Sequence, residues 1–159
     1  LIGLGANLGE PRRQIDEAFD ALAALPHTRL LRRSSLYRSA PMGKTDQPDF
    51  INAAALITTG LEAKALLGHL LEIEHNAGRI RSVPMEANGP RTLDLDLLVY
   101  GEAVIAEPGL HVPHPRMHQR RFVLEPLAEI APDCLIPGHG RAAELLLEVA
   151  GQAVEKMAP

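Results

Sequence analysis

Near the start of the chain, Ile15, Ala18, Phe19, Leu22 and Leu25 recur at the spacing of one helical face, behind a Gly9-Glu10-Pro11 opening that tolerates proline in the first helical turn. This predicts a helix between a first strand ending near Asn7 and a second strand over residues 28–37. Residues 40–49 are rich in turn formers, and a third strand follows over 50–59. Gly60 breaks it, and the amphipathic run 62–76, closed by Gly78, predicts a second helix. Residues 79–90 have neither period and contain Pro84, Gly89 and Pro90, the signature of a long loop. A fourth strand over 92–100, a turn at Gly101, a short strand near Val104 and two helices near 120–130 and 142–149 complete the series.

The order β-α-β-β-α-β predicts an α+β fold of ferredoxin-like type, an antiparallel sheet with two helices on one face, here with C-terminal additions. At 159 residues the chain fits one domain with a real core. No run approaches a membrane span, and the net charge of −4 argues against a general nucleic-acid binder. Cys134 is the sole cysteine, which excludes an internal disulfide and a cysteine zinc site and fits a reducing cytoplasm. The opening Leu1-Ile2-Gly3-Leu4-Gly5 lacks Met and a basic region, so it reads as a strand cut short by a few residues rather than as a signal peptide. A monomer is expected.

Chemistry enters at Asp94 and Asp96. Two residues apart on a strand, they share a face with Cα atoms about 7 Å apart, while Leu93, Leu95 and Leu97 face the core. Such a pair can converge on divalent ions. The bland alternative is an edge strand with solvated aspartates. The apolar neighbours, Arg91 and the arginine-bearing loop before the strand weigh against it. Arg79, Arg81, Arg91, Arg116, Arg120 and Arg121 all fall within or beside two stretches, 89–98 and 112–122, and suggest a local phosphate pocket.

Other motifs fail or stay open. Met42-Gly43-Lys44-Thr45 imitates a phosphate-binding loop, but Arg38 stands where its first glycine is required. Gly3 and Gly5 begin a dinucleotide fingerprint that Leu8 breaks, so both are better read as admitting another backbone or a ligand. Pro113 and Pro115 deny His111, His114 and His118 a regular helical spacing, which disfavours zinc and leaves His114 as a donor to phosphate. Glu74 lies on the apolar stripe of its helix, either with a partner or where the helix emerges into water. Phe50 and Asn52 share a strand face, where a flat ligand could stack and hydrogen-bond; a core Phe beside a turn-capping Asn is the alternative. Together these residues point to metal-assisted phosphoryl chemistry.

Taken in order, Gly5-Ala6-Asn7-Leu8-Gly9, residues 35–43, Gln47-Pro48-Asp49-Phe50-Ile51-Asn52-Ala53, residues 89–98, residues 112–122 and Leu124-Glu125-Pro126-Leu127-Ala128-Glu129-Ile130-Ala131-Pro132 resemble the hydroxymethyldihydropterin pyrophosphokinases of folate biosynthesis. The resemblance implies Mg²⁺-dependent transfer of pyrophosphate from ATP to 6-hydroxymethyl-7,8-dihydropterin, leaving AMP. It implies that Asp94 and Asp96 hold two Mg²⁺ ions. Phe50 and Phe122 would sandwich the pterin, Asn52 would bond its edge, and Ser39, Ala40 and Met42 would complete its pocket. Arg79, Arg81 and Arg91 match the family's catalytic loop arginines, Arg91 on the ATP side as well. His114, Arg120 and Glu74 match its ATP-side residues. Asn88 stands where the family often has an aromatic residue, and the 79–91 loop is slightly longer than in some relatives. Two other classes compete: a binding protein without catalysis, and a metal phosphohydrolase using the same aspartates.

Overall fold

The computed structural model describes residues 1–41, 46–77 and 93–159. Its first half runs β1 (Ile2–Ala6), α1 (Pro11–Ala23), β2 (Thr28–Arg33), β3 (Tyr37–Ser39), β4 (Phe50–Thr59) and α2 (Ala63–Asn76). Then come β5 (Asp94–Leu97), the hairpin β6 (Ile105–Glu107) and β7 (Leu110–Val112), and a single 3-10 turn at Met117–Gln119. Helix α3 (Arg121–Ile130), the strand pair β8 (Leu135–Ile136) and β9 (Gly140–Arg141), α4 (Ala142–Glu148) and β10 (Val154–Lys156) close the series. The fold is α+β: the main sheet has order β10-β3-β4-β1-β5, with β2 also on β4, and its described pairings are antiparallel. Among the described residues, no helix is long and apolar enough to cross a membrane.

Strand β4 divides the interior. Its odd positions Ile51, Ala53 and Ala55 join Ile2, Leu4 and Ala6 of β1, Leu93, Leu95 and Leu97, and the apolar faces of α1 and α2. Ala54, pointing the other way, joins a second core with Leu124, Leu127 and Ile130 of α3 and Ala142 and Leu145 of α4. Alternation along a strand thus puts α1 and α2 on one face and the C-terminal helices on the other.

The expected strand over 28–37 is in fact two strands. Ser34 breaks the ladder with its hydroxyl, which accepts from Ala54 N–H at 2.8 Å and donates to Ser35 C=O at 2.7 Å. Ser35 N–H then turns to the Glu129 carboxylate, at 3.0 and 3.1 Å from its two oxygens. The strand near Val104 is a hairpin rather than a single strand, and β5 is shorter than the expected 92–100 run. Beyond Leu97 the chain leaves regular pairing, although Leu98 N–H still donates to Leu1 C=O at 2.9 Å.

Candidate active site

The sheet face covered by α3 carries the chemistry. Cross-strand partners share a face, and the register aligns Tyr37, Asn52, Gly5 and Asp94 in one row across four strands. The next rows pair Ser39 with Phe50, and Ala54 with Gly3 and Asp96. Four expected site residues, Asp94, Asp96, Phe50 and Asn52, therefore lie on one surface, and Ser39 joins them from the neighbouring strand. Their common origin is period-two alternation: Leu93, Leu95 and Leu97 are buried behind, and the aspartates between them are left half-exposed.

Asn52 is buried and donates from Nδ2 to Ser39 Oγ at 2.7 Å, which fixes the amide plane. Asn7, also buried, donates to Gln47 Oε1 at 2.8 Å and to Pro48 C=O at 3.0 Å. It thereby ties the end of β1 to the segment that leads into Phe50. Ala40 follows β3 and is exposed.

The opposing wall comes from residues 114–122. His114 N–H donates to Leu98 C=O at 2.9 Å, which holds this segment against the end of β5. Arg116 N–H points at His114 Nδ1 at 3.2 Å, so Nδ1 is the acceptor and Nε2 carries the proton of the neutral ring. Burial, chiefly, and the Arg120 guanidinium next hold the His114 imidazole below its usual pKa, against the opposing pull of Asp94. Arg120 is likewise held below its ordinary value, by burial and then by Arg116, with Asp96 and Asp94 acting the other way. Its guanidinium carbon sits 5.6 Å from the centre of the Phe122 ring, within cation–π range. His114 and Arg120 thus stand near Asp94 and Asp96, with the Phe122 ring beside the Arg120 guanidinium, an arrangement suited to a flat ring beside an anion.

Glu74 does not emerge into water. It is 1% exposed, and its Oε2 accepts from Leu95 N–H at 2.7 Å, between the two aspartates in sequence. Arg121 departs from the phosphate-pocket expectation: its guanidinium donates to the carbonyls of Ala150 and Gln152 and pairs with Glu125 at 3.0 Å. His118 stacks on His139 at 3.8 Å between ring centres, and His111 is exposed on β7. No cluster of three or more metal-ligating side chains forms among the described residues. Met42, Arg79, Arg81, Asn88 and Arg91 lie outside the described residues.

Sequence reasoning missed Glu129, which accepts from Tyr37 Oη at 2.6 Å as well as from both Ser35 donors, clamping β3 to α3. Burial and then that carboxylate push the Tyr37 hydroxyl well above its usual pKa. Its only signal was a Glu on the polar side of an apolar helix.

A sequence model of the 7,8-dihydro-6-hydroxymethylpterin-pyrophosphokinase family matches residues 1–132. The chain belongs to this family. It is 46% identical over 156 residues to the 2-amino-4-hydroxy-6-hydroxymethyldihydropteridine pyrophosphokinase of Pseudomonas aeruginosa, covering 98% of this chain and 94% of that one. To the enzyme of the same name from Haemophilus influenzae it is 42% identical over 158 residues, 99% of this chain and 97% of that one. The Bacillus subtilis relative, again of that name, is 41% identical over 129 residues, 81% of this chain and 75% of that one. The family match covers every described residue of the site face, from Gly3 to Phe122.

Proposed function

We propose that this pyrophosphokinase-family chain transfers the pyrophosphoryl group of ATP to the hydroxymethyl oxygen of 6-hydroxymethyl-7,8-dihydropterin. The observation that carries this reading is the row joining Asn52 to Asp94 across Gly5, on the same face as Phe50. It sets a ring-binding amide and a carboxylate two strand spacings apart, about 10 Å. That span suits a bicyclic ring at one end and its phosphate acceptor at the other.

In the reaction the hydroxymethyl oxygen attacks the β-phosphorus, the bond from that phosphorus to the α,β-bridging oxygen breaks, and AMP departs with that electron pair. The hydroxymethyl proton is released. Phe50 and Phe122 bind the ring faces, Asn52 its edge, and Ser39, Ala40 and Met42 its surroundings. His114, donating from Nε2, and Arg120 bind phosphate oxygens, a bidentate guanidinium being well matched to them. Arg79, Arg81 and Arg91 add positive charge from the loop, Arg91 on the ATP side as well. Asp94 and Asp96 are hard oxygen donors suited to Mg²⁺, which binds through one or two carboxylates plus substrate phosphates. Bound there, it would neutralise phosphate charge. Glu74 acts on the ATP side by holding the strand that carries these aspartates. The fold is read as the ferredoxin-like arrangement, acting as a cytoplasmic monomer.

The test is AMP formation from ATP and Mg²⁺ with and without the pterin. AMP that requires the pterin supports the reading, and AMP without it indicates a phosphohydrolase. No AMP with both ligands bound indicates a binding protein. Asp96→Asn should stay folded and lose most turnover, because an amide cannot supply the charge that holds Mg²⁺.

A further inference from the structure

Two glycines of β1 face the site, and they differ in why a side chain is absent. A Cβ on Gly3 would lie 3.2 Å from Leu98 Cδ1, so packing already accounts for that glycine. Gly5 has no such reason among the described residues: a Cβ there would meet Asn52 Oδ1 at 3.5 Å and Ile51 C=O at 4.0 Å, both ordinary contacts. Its backbone is not in the left-handed region either. Glycine inside a strand is a net loss, since it forfeits packing and gives up more chain entropy on folding than other residues. A glycine that neither its conformation nor its described neighbours demand, in a strand paired on both sides, points to close approach by something else.

We propose that Gly5 leaves bare the floor of the cleft against which the edge of the pterin ring lies, beside the Asn52 amide, and that it determines which ring systems the site admits. The inference rests on the function proposed above. Gly5 stands directly between Asn52 and Asp94, with β4 and β5 hydrogen-bonded on either side of its strand. Asn52 Nδ2 is engaged by Ser39, which leaves Oδ1 turned toward the Gly5 floor as an acceptor for a donor on the ring edge. A methyl group at Gly5 would occupy the plane of the ring and lift it from that acceptor. ATP phosphates, held by the wall that includes His114 and Arg120, would be untouched.

The experiment compares wild type with Gly5→Ala and Gly5→Val. It measures thermal midpoints, pterin affinity by fluorescence titration, ATP affinity by calorimetry, and AMP formation. The expected result is an unchanged or raised midpoint, ATP affinity within twofold of wild type, and pterin affinity at least tenfold weaker in Gly5→Ala and weaker still in Gly5→Val. Pterin affinity within twofold in folded Gly5→Ala would overturn the inference, as would a lowered midpoint with both ligands equally weakened, because the fold itself would then need the glycine. Wild type that makes no AMP with the pterin would instead refute the proposed function, so the two failures are distinguishable.

Discussion

Replacing Glu74 with alanine tests whether this carboxylate supports the aspartate-bearing strand β5 from behind. Its Oε2 lies 2.7 Å from Leu95 N, on a side chain that is 1% exposed. Among the described residues strand β5 ends the main sheet, with β1 on one side. The Leu95 N–H therefore depends on a side chain where a further strand would otherwise supply a carbonyl. A hydrogen bond to a charged acceptor contributes about 1.5–3 kcal/mol, and its removal leaves a buried donor unpaired. For a domain of this size each kcal/mol moves the melting midpoint by about 2–4 °C, so Glu74→Ala should melt about 3–12 °C below wild type. Glu74→Gln keeps an oxygen that can accept from Leu95 and should lose roughly half as much. Because Leu95 lies between Asp94 and Asp96, Glu74→Ala should also raise the Mg²⁺ concentration needed for half-maximal AMP formation. Thermal unfolding by circular dichroism and a Mg²⁺ titration of turnover provide the readouts. An alanine variant that melts within about 1 °C of wild type would refute the assigned role.

Phe122→Ala should weaken pterin binding by about two- to twelvefold from lost stacking alone, with a smaller effect on ATP, as read by parallel titrations. Equal losses for both ligands would make Phe122 an ordinary packing residue. Burial holds His114 and His118 below their ordinary value of 6.5, so below that pH the unfolded chain binds more protons than the folded one. Stability should therefore fall as pH drops through 6.5, and denaturant midpoints should show a shallower fall in a His114→Gln, His118→Asn variant. Gly68 lies inside α2 and is exposed, with nothing within 4 Å of a Cβ built there among the described residues. Gly68→Ala should raise stability by about 0.5–1 kcal/mol in chemical denaturation.

Where a side-chain period runs long enough, the fold is legible from residue order alone. Fourteen residues of α2 stand out because they repeat a helical stripe several times, and ten of β4 because a largely apolar run ends at Gly60. The Asp94 and Asp96 face follows from the same logic, since three leucines fix which side is inward. The division of 28–37 does not, because it depends on Ser34 meeting Ala54 and Ser35 meeting Glu129, contacts made across twenty and ninety-four residues of chain. Strands such as β6, β7 and β10 have three residues each, too few for a period to register. Glu74 was visible as a misplaced carboxylate, yet its partner is a backbone N–H, which carries no residue-type signal. The arginines of the 79–91 loop stood out by their clustering and took a catalytic role, as Met42 took a pterin-side one, from resemblance; all lie outside the described residues.

The alanines of β4 have a consequence for how this protein can change over time. Ala53 and Ala55 belong to one core and Ala54 to the other, so a single thin strand is the partition between two packing problems. A larger residue at Ala54 must be accommodated by α3, whereas one at Ala53 falls to the opposite side of the sheet. Mutational drift in the scaffold half can therefore proceed without rearranging the helix that begins beside Arg120 and Phe122. The half built on α3 and α4, in turn, can change while the stability supplied by α1 and α2 stays in reserve. Two independently tunable interiors give a lineage room to alter its chemistry without first losing its shape.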